Sequence, residues 1–349
     1  MKHSNFELNN WKKLRSGKLE WSIFHTRAKI ITAIRKFFES NGFLEIEPPY
    51  LTPYPTLDSN IYSIQVSIHD QKGIQRPFFL HTSPEHAMKK LLAAGAEQIF
   101  FLGKVFRDRE ITALHNPEFT MVEWYRINAT YKDIQKDTEE LIRFIALELF
   151  AKEEIIYQKK KIDLTAPWES VTIKNLFKQR ANINLEENLT TESLKNAAAS
   201  RNIKFALDDD WESLFFKIFL EKIEPTLGQT KPTFILDYPA QMGQMAKRKR
   251  KSTEWVERVE LYIAGMELAN GYSELTDPNE QKERFENEQK KKTISGTSKY
   301  PVDIELISAL RMGIPPSAGI ALGIDRLVML FTDRKNIQDV LLFPLHQYI

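Results

Sequence analysis

The chain of 349 residues balances 49 Lys and Arg against 47 Asp and Glu, a net charge of +2, and is 42% hydrophobic, enough apolar material for one large domain or two small ones. So even a charge does not demand a polyanionic partner, and the absence of cysteine excludes disulfides, thiolate-bound zinc and a cysteine nucleophile. No apolar run approaches a membrane span, and "MKHSNFELNNWKKLRSGKLEW" lacks the apolar centre of a signal peptide, so a cytoplasmic protein is expected.

In "RAKIITAIRKFFESNG" the spacing of Ile30, Ile31, Ile34, Phe37 and Phe38 predicts an amphipathic helix that stops at Asn41-Gly42. "FLEIEPPYLTP" reads as a short extended segment, with Pro48 and Pro49 suited to an edge or an interface. "SPEHAMKKLLAAG" predicts a second helix, with Ser83 as its cap and Pro84 in its first turn. "EQIFFLGKVFRDRE" and "PEFTMVEWYRI" predict two strands joined by a polar loop of roughly ten residues, longer than a tight hairpin needs. Period two puts Val105, Arg107 and Arg109 on one face of the first strand, and Phe119, Met121, Glu123 and Tyr125 on one face of the second.

Further along, "TYKDIQKDTEELIRFIALELFAKE" and "DWESLFFKIFLEKIEP" read as amphipathic helices outside a sheet. Strand patterns return at "PTFILDYP" and "WVERVELYIAGMELANGYSEL", followed by a charged helix, "DPNEQKERFENEQKKK". The chain then offers another helix and "PSAGIALGIDRLVMLFTD", a Gly-punctuated strand running into a helix. Most strands lack βαβ spacing, so the expected fold is α+β, a mostly antiparallel sheet flanked by helices.

Neither "GxxxxGK" nor "GxGxxG" occurs, so a nucleotide would have to be held by arginines, aromatics and a carboxylate-bound metal. Arg107 offers a planar fork for carboxylate or phosphate, though alone it reads equally as a surface pair with Asp108 or Glu110. Glu123 stands where a core strand would bury an apolar residue. Asn270, Tyr272 and Glu274 share a strand face, and Glu260 lies on the preceding strand across a turn that Gly265 permits. Of the carboxylates Glu260, Glu267 and Glu274 in this cluster, two brought together could bind Mg²⁺ with phosphate oxygens, and a third could hold an amine; a solvated acidic face is the alternative. Small residues at Gly319, Ala321 and Gly323 let a ligand approach a strand, with Arg326 following at the helix start. The basic run Lys247 to Lys251 reads as a solvated loop, or less readily as a docking surface for an acidic partner.

In this order the clusters resemble the three signature motifs of class II aminoacyl-tRNA synthetases: "GFLEIEPPYL", with Pro49 at the key proline, "FRDRE…HNPEFTMVEWY", and "GIALGIDRLVML". "ELANGYSEL" and "HNPEFTM" are similar to the lysyl branch. The resemblance runs from about residue 20 to the carboxyl end. It implies one catalytic domain over residues 1–349, with its first motif helix starting near Arg27 and no anticodon-binding barrel of the OB type before it. Within the branch the chain resembles the lysyl-synthetase paralogues that attach (R)-β-lysine to a lysine of elongation factor P. That implies elongation factor P as partner, tRNA an unlikely one, and a homodimer built through the first motif. Ala321 stands where lysyl-tRNA synthetases usually have glycine, a difference worth roughly 1–3 kcal/mol in a tight pocket. At the second motif's glutamate position the chain has Arg109, with Glu110 one place later.

By this resemblance ATP would be held by Arg107, Asp108, Arg109, Glu110, His115, Asn116, Phe119, Glu267, Leu268, Gly323 and Arg326, with Arg107 and Arg326 catalytic, Asn116 reading the adenine and Phe119 stacking beneath it. The amino acid would meet Ser83, Pro84, Glu85, Glu123, Tyr125, Asn270, Tyr272, Glu274 and Ala321, with Tyr125 and Glu274 holding its terminal ammonium. Glu260 and Glu267 would hold Mg²⁺. The implied reaction is formation of an aminoacyl-adenylate and transfer of the acyl group to a protein lysine; the alternatives are a minimal enzyme charging tRNA with α-lysine, and a synthetase-like regulatory protein without catalysis.

Overall fold

The long helix anticipated from Ile30 onward is α2 (Trp21–Ser40), preceded by α1 (Asn10–Arg15), in a computed structural model that describes residues 9–294 and 300–349, the side chains of residues 293 and 294 excepted. The start of the amino-terminal stretch, residues 1–8, lies outside the described residues. α2 begins at Trp21 and not near Arg27, because Ile23 and Phe24 extend the buried stripe by one more turn. It ends as expected, with the Asn41 N–H bonded back to the Phe37 and Phe38 carbonyls and Gly42 at φ 78°.

Short strands β1 (Leu44–Glu45) and β2 (Leu51–Thr52) flank the proline pair, followed by the hairpin β3 (Gln65–His69) and β4 (Gln75–Leu80). α3 (Glu85–Ala93) then leads into β5 (Gln98–Phe106) and β6 (Glu118–Ile127), and α4 (Tyr131–Phe150) starts on a reciprocal cap between Thr130 and Asp133. A hairpin, β7 (Glu154–Tyr157) and β8 (Lys160–Asp163), precedes β9 (Glu169–Thr172) and the helical lobe α5 (Ile173–Leu176), α6 (Thr191–Ala199) and α7 (Trp211–Ile218). β10 (Thr233–Pro239), β11 (Arg248–Lys249), β12 (Ser252–Ile263) and β13 (Met266–Ser273) follow. α8 (Pro278–Ile294), α9 (Ile304–Met312), β14 (Ser317–Gly323) and α10 (Ile324–Phe331) complete the order.

The main sheet runs β1-β5-β6-β14-β13-β12-β10-β9, with β11 paired to β12. Its pairings are antiparallel except β1 with β5 and β9 with β10. This is the mostly antiparallel α+β sheet expected. The basic run is a loop only in part: Arg248 and Lys249 form the short strand β11, pinned by Arg248 to Glu280 and Lys249 to Asp237, and Arg250 and Lys251 make the exposed turn into β12.

Strand alternation divides the sheet into two faces. Val122 and Trp124 of β6, Val259 and Leu261 of β12, and Ile320 and Leu322 of β14 bury themselves against α2, α4 and α10. Trp124 is fully buried and lies 5.2 Å from Phe38 of α2. Side chains of this kind contribute about 1.5–3 kcal/mol each on burial. The residues between them face the other way, into a cavity closed by α3, α8, α9 and the α5–α7 lobe.

Candidate active site

The cavity measures about 750 Å³, the size of a nucleotide with a small partner. Its floor is the alternate residues of four neighbouring strands: Phe119, Glu123 and Tyr125 of β6, Gly319, Ala321 and Gly323 of β14, Asn270 and Tyr272 of β13, and Arg258 and Glu260 of β12. Glu123 therefore does share a face with Phe119 and Tyr125, as its spacing indicated. Gly319 is required beside Tyr125, because a Cβ there would lie 2.1 Å from the tyrosine ring.

At one end, acids converge. Glu123 is buried and accepts from Ser83 Oγ and Tyr125 Oη, both at 2.7 Å. Burial, and next the charge of Glu85, push its carboxyl up to about 7. Pro84, and not Ser83 as expected, takes the cap position of α3; Ser83 stands one residue earlier and accepts from the Glu85 N–H at 3.0 Å, so the helix start delivers Ser83, Pro84 and Glu85 to the cavity together. Tyr272 donates to Glu85. Glu274 departs from the expectation. Its side chain stands behind the cavity wall, 2.6 Å from the Lys89 ammonium, which also lies 2.8 Å from Glu85. Lys89 already fills the place where Glu274 was expected to hold a substrate ammonium. Nothing singled Lys89 out in the sequence, although its spacing of four from Glu85 on a helix was the available signal.

At the other end, bases converge. The Arg107 guanidinium lies 5.1 Å from the Phe119 ring centroid, its Nε is buried without a hydrogen-bond partner, and Glu110 stands 3.8 Å away. Phe119 thus supports Arg107, and its half-buried ring also lines the cavity. Asp108 and Arg109 turn outward: β5 stops at Phe106, Asp108 bridges to Tyr62, and the Arg109 guanidinium covers the Tyr62 ring at 4.0 Å. Neither lines the cavity. Asp108 faces outward by simple alternation from Arg107; Arg109 follows it because its φ of 65°, in the left-handed region, breaks the alternation and returns Glu110 to the side of Arg107.

Arg326 is held by three partners: Nη1 donates to the Glu267 carbonyl at 2.7 Å, Nε to the Leu114 carbonyl at 3.4 Å, and Nη2 to His115 Nε2 at 2.6 Å. Burial, then Arg326 and Arg107, lower His115 to about 4, so the neutral ring accepts from Arg326 and turns Nδ1 to Thr112 Oγ1 at 2.8 Å. Asp325 does not neutralise Arg326; its carboxylate binds Arg27 at 2.5 Å and the Thr120 N–H at 2.7 Å, tying α2 to β6 and α10. Leu268 and Gly323 line this end as expected. Asn116 lines it too, but its amide donates to the Glu118 carbonyl at 2.6 Å and accepts from the Leu345 N–H at 3.0 Å. Each end of that side chain makes one backbone bond, which leaves one N–H and one lone pair toward the cavity.

Between the ends stand Glu260 and Glu267. Glu260 pairs with Asn270 across β12 and β13, and a bulge beyond Leu261 brings Glu267 opposite Tyr262, onto the same face. Glu260 accepts from Arg258 Nη2 at 2.7 Å, Tyr238 Oη at 2.5 Å and Tyr262 Oη at 3.0 Å, while Arg258 Nε donates to Asn270 at 3.1 Å. Arg258, unnoticed in the sequence, sits two residues before Glu260 and so on its face. Burial, and next Glu260, push Glu267 up to about 7. Such a pair gains from a cation. No group of three or more acidic or imidazole side chains that would hold a metal unaided occurs among the described residues. An all-oxygen pair fits Mg²⁺ that arrives with phosphate oxygens and water, because that ion is usually held by one or two carboxylates plus its substrate.

An antiparallel sheet whose one face gathers these arginines and acids defines a class. The chain belongs to the family of class II tRNA synthetases (D, K and N), whose description matches residues 8–347. Among curated relatives it is similar to the lysine–tRNA ligase of Pelotomaculum thermopropionicum, 38% identical over 93% of this chain and 63% of that protein. Those of Moorella thermoacetica and Bacillus subtilis are 36% and 35% identical, each over 92% of this chain and over 65% and 63% of their own lengths. The chain thus spans a little under two thirds of the relatives it matches.

Proposed function

We propose that the cavity activates a lysine-type diamino acid with ATP and passes the acyl group to an amine acceptor. The observation that carries this reading is the two-ended cavity: Glu85, Glu123, Ser83 and Tyr125 at one end, Arg107, Arg326 and His115 at the other. Ammonium groups suit the first end and carboxylate with phosphates the second. A carboxylate oxygen of the amino acid attacks the α-phosphorus; the bond from that phosphorus to the bridging oxygen breaks, and pyrophosphate leaves. An acceptor amine then attacks the acyl carbon, AMP leaves, and the amine's proton passes to phosphate or water. Arg107, with its Nε unpartnered, bridges the attacking carboxylate and the α-phosphate. Arg326 covers the nucleotide. Mg²⁺, when bound with ATP, would be held by Glu260 and Glu267 and would offset charge on the departing pyrophosphate. The rest of the catalysis is positioning and charge stabilisation.

Within this reading the amino acid is (R)-β-lysine and the acceptor is a lysine ε-amine of elongation factor P. The support is the sequence resemblance together with Ala321, which lies opposite Glu123 in the ladder and puts a methyl in the wall beside the acidic end. The likeness to lysine–tRNA ligases favours a second reading, α-lysine passed to tRNA. Offering the adenylate of labelled (R)-β-lysine to elongation factor P and to tRNA separates them: label in the protein is expected, and label in tRNA with α-lysine alone would give the second reading first place. A homodimer through the first motif belongs to the same proposal, with Leu44, Tyr50 and Leu51 exposed there for a partner; a monomer by light scattering at micromolar concentration would remove it.

A further inference from the structure

His86 lines the cavity beside Glu85. One residue further along α3, it is turned about 100° round the helix from that glutamate, toward α8 and α9. Its Nδ1 lies 3.0 Å from Oδ2 of Asp303, the cap of α9, and its ring centroid 5.8 Å from that of Phe285 in α8. Asp303 is buried and has other partners: the Lys90 ammonium donates to its two oxygens at 3.0 and 2.9 Å, and the Leu306 N–H to Oδ1 at 2.9 Å. Burial works against the charge of Asp303, yet the bonds from His86 and Lys90 and that N–H outweigh it and hold the carboxyl at about 2. An ionised carboxylate only accepts, so Nδ1 carries the proton of the neutral ring and Nε2 is left as an acceptor. Nε2 has no hydrogen-bond partner among the described residues, and 23% of the side chain reaches solvent.

We propose that His86 is the base of the acyl-transfer step and that Asp303 positions it. The inference rests on the reading in which an amine accepts the acyl group. A lysine amine has an ordinary pKa of about 10.4 and is an ammonium at neutral pH, without an electron pair for attack. Nε2 of His86 takes one of its protons. The freed pair attacks the acyl carbon, the bond from that carbon to the phosphate oxygen breaks, and AMP leaves with the bonding electrons. The extra proton on the new amide nitrogen passes to phosphate or water. The imidazolium, stabilised by Asp303 while it lasts, returns its proton to solvent. The place suits the task. Along α3, Ser83 and Glu85 stand at the amino-acid end, His86 beside them, and Lys90 one turn further out with 32% of its side chain exposed. His86 thus lies where the cavity wall passes from the bound amino acid to solvent. The charged groups that share this wall are Glu85 and Lys90 of α3, Asp303 and Glu305 at the start of α9, and Glu288 of α8.

The test times transfer from the enzyme-bound adenylate in single turnovers, with the amino acid that gives the strongest pyrophosphate exchange. Two small acceptors are compared: ethylamine, an ammonium ion at neutral pH, and hydroxylamine, which is uncharged there and needs no base before it attacks. His86→Gln can still donate to Asp303 and so keeps the tie between α3 and α9, but it takes no proton. It should slow transfer to ethylamine by about 100-fold or more, and leave hydroxylamine transfer and pyrophosphate exchange within about threefold of the wild type. His86→Ala should behave alike and regain about tenfold or more when imidazole is added. Equal losses with the two acceptors would make His86 a structural residue and overturn the proposal. An unchanged ethylamine rate in the variants would also overturn it, as would a wild-type chain that acylates ethylamine no faster than the free adenylate does. If His86→Ala does not fold, His86→Gln decides alone. Absence of pyrophosphate exchange in the wild type would defeat the adenylation reading and the proposal with it; normal exchange with an unchanged ethylamine rate would defeat the proposal alone.

Discussion

Ala321 faces Glu123 directly across the β14–β6 ladder, so a single methyl borders a carboxylate that burial pushes up to about 7. Ala321→Gly removes that methyl. It should raise kcat/KM for L-lysine relative to (R)-β-lysine by roughly tenfold, the range of one methyl in a tight pocket. Competition assays with the two isomers measure the ratio, and an unchanged ratio would take Ala321 out of the selection.

The Arg107–Phe119 contact makes a second expectation. Replacing Arg107 by Ala should lower the rate of adenylate formation by about 100-fold or more, as removal of a charge stabiliser does. Phe119→Leu keeps the apolar volume but removes the ring beneath the guanidinium. It should cost about tenfold or less in kcat/KM, from weaker ATP binding. Single-turnover kinetics distinguish the rate effect from the binding effect.

Asn116 separates a structural role from recognition. Its amide ties the Glu118 carbonyl to the Leu345 N–H. Asn116→Ala should therefore lower the melting temperature, by the equivalent of about 1–3 kcal/mol, and leave the preference for ATP over GTP unchanged. A switch in nucleotide preference without loss of stability would assign it the adenine-reading role instead.

Glu123 sets a pH dependence. Its carboxyl stands at about 7 against an ordinary 4.5, through burial first and Glu85 second. The groups facing it are Ser83, Glu85 and Lys89 from the start of α3 and Tyr125 from its own strand, with Tyr272 and Glu274 beyond. An ammonium needs the ionised form, so affinity for lysine should rise as pH passes upward through about 7. Stability without ligand runs the opposite way. A carboxyl raised in the folded state contributes fully below about 4.5 and loses that contribution as pH rises through about 7. The thermal shift given by lysine should grow from pH 6 to pH 8, and Glu123→Gln should abolish most of the growth.

Gly319 tests the tight approach of β14 to β6. Gly319→Ala drives a Cβ into the Tyr125 ring. It should cost about 1–3 kcal/mol of stability and weaken amino-acid binding, because Tyr125 can no longer hold Glu123.

The sequence was most legible where one period governed a whole segment. Alternation along "PEFTMVEWY" placed Glu123 and Tyr125 on the cavity floor correctly, and the spacing in α2 found the buried stripe. It misled where one residue reset the phase. Arg109 in the left-handed region ended the alternation, turning its own side chain outward and Glu110 inward. The bulge after Leu261 did the reverse for Glu267, carrying it to the face of Glu260 that simple counting from Asn270 denies it. Lys89 and Arg258 were passed over for another reason. A lysine in an amphipathic helix and an arginine in a strand are ordinary residues until the fold surrounds them with Glu85, Glu274, Glu260 and Asn270. The tie from Asn116 to Leu345 was not legible either, because the two lie far apart along the chain and no local pattern links them.

The most direct measurement is pyrophosphate exchange into ATP with (R)-β-lysine and L-lysine side by side. The account expects strong exchange with (R)-β-lysine and much weaker exchange with L-lysine. Exchange with L-lysine alone would keep the adenylation site and contradict the isomer and its acceptor. Exchange with neither would contradict the central claim that this cavity activates a diamino acid.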